Sequence, residues 1–144
     1  MKKYGSKNKK TSPKNNSKTG AKSTVKHSEG SFLYLIPNDI RAGQLHDGLD
    51  FLNEKQLEVW TEINLLEVTT DEGTVTFEDM KDNLRGEDSD VLDGMGIKKV
   101  YAVDYYLSDK GVLRKVMETL TSKFGGKIGS DTEDFQPFIK VKEL

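Results

Sequence analysis

Charge along this 144-residue chain is divided rather than mixed, and the division limits what can fold. Residues 1–31 hold nine lysines (Lys2, Lys3, Lys7, Lys9, Lys10, Lys14, Lys18, Lys22 and Lys26) and a single acid, Glu29, a balance of +8. Only Met1, Tyr4, Ala21 and Val25 in that stretch are apolar, and they follow no repeating spacing. A segment that buries so little apolar surface cannot offset the entropy of ordering it, so residues 1–31 are expected to form a disordered basic tail. Removing those ten charged residues from the chain's 22 Lys+Arg and 24 Asp+Glu leaves 13 against 23, so residues 32–144 carry −10. The whole chain is 34% hydrophobic, and all but those four apolar residues fall in 32–144. That is enough for one ordinary core, and 32–144 is read as a single acidic α+β domain.

The chain has no cysteine, which removes disulfides, thiolate metal sites, iron–sulfur clusters and cysteine nucleophiles from consideration and suits a cytoplasmic location. Its longest apolar run is Phe32 to Ile36, far short of a membrane span, and the Lys-rich start lacks the apolar stretch of a signal peptide. No membrane association is expected.

Ser31 to Ile36 is rich in β-formers and ends at Pro37, so it reads as a first strand. Ile40, Leu45, Leu49 and Leu52 then recur at roughly helical spacing, although Gly43 and Gly48 weaken that pattern. Asn53 with Gln56 resembles a capping box, while Leu57, Val59, Ile63 and Leu65 also alternate in strand fashion. Two β-rich runs around Asp71-Glu72-Gly73 predict a hairpin. Phe77, Met80 and Leu84 suggest a helical turn before an acidic loop from Glu87 to Gly96. Lys98 to Leu107 is the strongest strand pattern, and Asp109 to Phe124, capped by Ser108, is the strongest helix. Gly126 to Ser130 reads as a turn and Phe138 to Val141 as a last strand. The simplest architecture with this order is a ferredoxin-like βαββαβ sandwich, loosely matched.

The residues that carry chemistry are few. Two histidines, His27 and His46, make neither a metal site nor a Ser-His-Asp relay, and no cofactor or metal is expected. The acidic stretch with Glu87, Asp88, Asp90 and Asp93 departs from calcium-loop spacing, since Lys99 stands at position twelve counted from Asp88. Gly94-Met95-Gly96 precedes a strand rather than a helix, which a phosphate loop would not do. Asp104 interrupts an apolar strand, and its surroundings decide whether it is an exposed polar residue or a perturbed acid.

Two functional expectations follow. The first is a non-enzymatic interaction protein, inhibitor- or immunity-like, whose acidic domain docks a basic surface of a protein partner, with Glu87, Asp88, Asp90 and Asp93 as candidate contacts. The alternative is a nucleic-acid- or ribosome-associated protein held electrostatically by Lys2 to Lys26, with Lys99, Tyr101 and Tyr105 offering a base and stacking rings from one strand face. For that face, packing against the long helix is the competing role of Tyr101, Val103, Tyr105 and Leu107.

Overall fold

A computed structural model describes residues 26–80, 84, 87–132 and 134–144. Within them lie a six-stranded antiparallel sheet and three α-helices, a mixed α+β arrangement. The elements run β1 (Ser28–Ile36), α1 (Ala42–Gly48), β2 (Leu57–Trp60), β3 (Leu65–Thr70), β4 (Gly73–Asp79), α2 (Glu87–Gly94), β5 (Lys99–Leu107), α3 (Gly111–Phe124) and β6 (Lys127–Gly129). Across the sheet the order is β2-β3-β4-β5-β1-β6.

Helices α1 and α3 pack on one face. Phe32, Tyr34 and Ile36 of β1, Tyr101, Val103 and Leu107 of β5, and Val75 and Phe77 of β4 meet Leu45, Leu49, Leu113, Val116, Met117 and Leu120 in a single core. A fully buried side chain of this size contributes about 1.5–3 kcal/mol, so this layer holds most of the stability. The opposite face is covered only in part. There Leu33, Leu35 and Val100 pack against Leu92 of α2, Ile97 and Phe135.

Several expectations are corrected. The stretch read as an acidic loop is helix α2, because Val91, Leu92 and Met95 supply an apolar edge that the second face needs covered. It closes with Gly96 at φ 73°, whose N–H donates to Asp93 while Ile97 N–H donates to Leu92, a Schellman ending that only a left-handed residue permits. Phe77 does not begin a helical turn but stays in β4, where it is fully buried. The segment expected to follow it, 81–83, lies outside the described residues. Ser108 does not cap α3; Asp109 accepts the Gly111 N–H at 2.8 Å two residues later. The glycine-rich turn contains strand β6, since Ile128 is buried and the outer edge of β1 is available for pairing. The expected last strand shrinks to one bridge, Ile139 with Ile128. The first strand starts at Ser28, three residues ahead of Ser31.

The β3–β4 hairpin forms as the pattern predicts, around Asp71 and Glu72. Gly73 has φ 140° and lies so near the Tyr106 carbonyl that any Cβ would collide with it.

A buried polar network joins the layers. Asn64 Oδ1 accepts the Ala42 N–H at 2.7 Å, and Asn64 Nδ2 donates to Asp79 at 2.9 Å and to the Tyr101 hydroxyl at 3.0 Å. The Tyr101 hydroxyl donates to the Ile40 carbonyl at 2.6 Å, and Lys99 Nζ meets Asp79 at 2.9 Å and Asp39 at 3.3 Å. The start of α1 is thus fixed to β4, β5 and the β2–β3 turn. Asn64 holds φ 51°, a left-handed conformation that asparagine tolerates better than most residues. Replacing Asn64 with Ala should cost about 2–4 kcal/mol in urea unfolding, because it orphans the buried Ala42 N–H, removes the donor to Asp79 and the Tyr101 hydroxyl, and strains the backbone. Asn64→Gly should lose the same bonds yet recover about 1 kcal/mol of that through its freer backbone.

Candidate functional site

Strand alternation sends every second side chain to the face that α1 and α3 do not cover. Three rows of register partners cross it. The middle row reads Glu58, Glu67, Thr76, Asp104 and Ser31 from β2 to β1. One side of it is Thr69, Thr74, Tyr106 and Glu29, and the other is Trp60, Leu65, Glu78, Ala102 and Leu33. Helix α2 reaches only the last of these, where Leu33 and Ala102 join its cluster. Beyond it the sheet is open to solvent, with Glu29, Glu58, Glu78 and Asp104 exposed and Glu67 half-buried.

The electrostatics of this face are one-sided. Glu58 and Glu67 stand directly opposite each other in neighbouring strands, an arrangement that like charges make unfavourable. Partial burial, and then the Glu58 charge, push the Glu67 carboxyl above the usual glutamate range. Beside them, Glu29, Ser31, Thr74, Thr76, Asp104 and Tyr106 line a shallow depression of about 520 Å³. The Tyr106 ring, 49% exposed, is stacked flat by His27, with centroids 4.3 Å apart and planes 5° from parallel.

One groove on the helix-covered side of the molecule is basic. Arg114 and Lys115 of α3 line it with Lys140 and Lys142 from the following segment, Glu118 being its one acid.

The residues singled out in the sequence take different positions. Asp88, Asp90 and Asp93 belong to α2, which begins at Glu87 and packs its apolar edge on the same side of the sheet as the open face; Asp90 and Asp93 are exposed. Lys99 and Tyr101 are interior: Lys99 is 5% exposed and paired with Asp79 and Asp39, and Tyr101 is fully buried. Neither reaches a nucleic-acid base. Tyr105 is half-buried toward the helix-covered face, packed against the core beside Phe32. Lys26 is exposed, whereas Lys2, Lys3, Lys7, Lys9, Lys10, Lys14, Lys18 and Lys22 lie outside the described residues. Asp104 is exposed and diagonal to Glu29 across the β1–β5 pair.

Glu29, Glu58, Glu67 and Glu78 went unnoticed as candidates. Their signal was present as period-two alternation with Leu57, Val59, Leu66, Val68, Val75 and Phe77. Among the described residues no group of three His, Asp or Glu side chains is placed to hold a metal ion. Among the described residues, too, no helix is long and apolar enough to cross a membrane.

Glu67 has a folded-state affinity for protons above that of the unfolded chain. Its ionised form therefore opposes folding at neutral pH, and that penalty fades as pH falls and the carboxyl takes up a proton. Glu67→Gln should stabilise the protein at pH 7 by a few tenths of a kcal/mol after solvent screening, with the advantage lost in acid. Urea midpoints at pH 7 and below the usual glutamate range provide the comparison. No protein-family model matches this chain, and no curated protein or solved structure matches it either, so its function has to be read from the geometry of this face.

Proposed function

We propose that the protein is a non-enzymatic interaction protein that docks a basic surface of a protein partner on the open acidic face of its sheet, in the manner of an inhibitor or immunity protein. The observation that carries this reading is the placement of Glu29, Glu58, Glu67, Glu78 and Asp104 on one sheet face that helices α1 and α3 leave uncovered. A surface of this kind accelerates encounter with a cationic partner and sets its orientation, while flat neighbours such as Thr74, Thr76 and Tyr106 supply close contact. Tyr106 and Trp60 are the aromatic side chains of this face, and aromatic anchors are what such interfaces favour.

The nucleic-acid alternative rests on lysines 2–26 and their sequence-independent attraction for phosphates. Within the domain it loses the support of Lys99 and Tyr101, which are interior.

We also infer a ferredoxin-like organisation of the fold, with the β2–β3 hairpin and α2 as insertions. What supports it is the order β6-β1-β5-β4, in which β1 and β4 run parallel with β5 between them, and β5 and β6 run parallel with β1 between them. Helix α1 lies in the first of those connections and α3 in the second, which makes two interleaved split βαβ units.

The docking reading is tested by titrating the isotope-labelled full chain with cytochrome c, used as a small folded basic protein. Amide shifts should concentrate at Glu58, Glu67, Thr76, Asp104 and Tyr106, and the affinity should fall at least about tenfold between 50 and 200 mM salt. The triple substitution Glu58→Gln, Glu67→Gln, Asp104→Asn should abolish the response. Shifts confined to α3, or none at millimolar partner, would overturn the reading.

A further inference from the structure

We propose that the outer edge of β2 binds an extended, lysine- or arginine-rich segment of the partner as a seventh strand of the sheet. The proposal rests on the docking role given above and names the form in which the basic partner is held.

The two margins of the sheet are finished differently. Beyond β6 the Ile139 N–H donates to the Ile128 carbonyl at 2.8 Å, so that edge is bridged. Beyond β2 no described residue pairs. The Leu57 N–H turns back to the Glu54 carbonyl, which makes Leu57 and Val68 a pair without mutual ladder bonds. Alternation along the antiparallel ladder makes Val59 and Leu66 the next such pair, with the Val59 N–H and C=O directed away from β3. Groups so placed are what an added strand bonds. Strand β2 contains neither the proline nor the lysine that commonly blunt a margin, and its one charged residue is Glu58.

Charge selects the occupant, and it does so on both sides of the edge. On the open side stand Glu58 and, one strand in, Glu67. On the helix-covered side Asp47, Asp50 and Glu54 rim a depression of about 280 Å³ with Leu49, Leu52 and Leu57 in its wall. Asp50 is already held by Lys123 at 3.0 Å, and His46 lies 3.0 Å from Asp47 and 3.6 Å from Glu54. Lys55 is the cation next to this group in the chain, and Glu62 adds a further exposed acid past the end of β2.

An added strand sends alternate side chains to the two sides. One set stands about 4.5–5.5 Å from Glu58 across the new pair and relieves its opposition to Glu67. The other set falls at the depression, where a lysine or arginine stem covers the leucines while its head reaches Asp47 or Glu54. A single extended basic run therefore meets carboxylates on both sides at once. A second copy of this chain, paired here, would instead bring another Glu58 against the first.

The probe is an end-capped octapeptide alternating lysine and valine, titrated into the isotope-labelled full chain at low salt. It should shift the amides of Leu57 to Trp60 most and, at saturation, slow solvent exchange of the Val59 N–H at least about tenfold. The same peptide methylated on its backbone nitrogens keeps its charge and loses its donors, and should bind at least about tenfold more weakly. Glu54→Gln with Glu58→Gln should weaken the unmethylated peptide about fivefold and flatten its salt dependence. Equal binding of the two peptides, or shifts centred on Asp104 and Tyr106, overturns the seventh strand and leaves the docking role standing. Silence toward the peptide where cytochrome c still binds does the same. Shifts of Leu57 to Trp60 with protein concentration alone assign the edge to a second copy and overturn the proposal. Failure of cytochrome c and both peptides alike overturns the docking role, and the seventh strand with it.

Discussion

Unequal covering of the two sides of one sheet governs the rest of this molecule. Helices α1 and α3 cover one side, which takes most of the large apolar residues of the strands, and the alternate residues are left to whatever the other side becomes. Helix α2 and Phe135 cover part of that other side. What remains uncovered, from Glu58 across to Glu29, is assembled from five strands and is continuous only in the folded state. No short motif could have encoded it.

That origin explains what could be read in advance. The divided charge, the long strand at Lys99–Leu107, the helix ending at Phe124 and the hairpin at Asp71-Glu72 were legible, because each is a local pattern of period or turn chemistry. Helix α2 was not. Its carboxylates suggested solvent, yet Leu92 is fully buried and acids in a first turn complement the helix dipole. Strand β6 was hidden by glycines whose function is set by the neighbouring β1 edge. Lys99 misled for the same reason: a lysine at a strand end reads as exposed until Asp39 and Asp79, distant in sequence, converge on it. The tertiary partner decides, and a single sequence does not name the partner.

The candidate site also runs against the interests of the fold. Opposed carboxylates at Glu58 and Glu67 weaken the β2–β3 pairing at the margin of the sheet, where pairing is already one-sided. By contrast the polar groups beneath α1 are mutually satisfied: Asn64, Asp79, Tyr101 and Lys99 bond one another and the backbone. Stability is concentrated around that network and the helix-covered core. The exposed face is left with charges that folding alone would not select.

The same repulsion has a consequence for crowded solutions. A bare β-surface ordinarily invites lamination, sheet against sheet, with a twin molecule, and short strands at its margin offer little obstruction. Here two such surfaces brought together would oppose five negative groups to five, so homotypic stacking is discouraged while a cation-rich visitor is admitted. Self-avoidance and selectivity thus arise from one set of side chains.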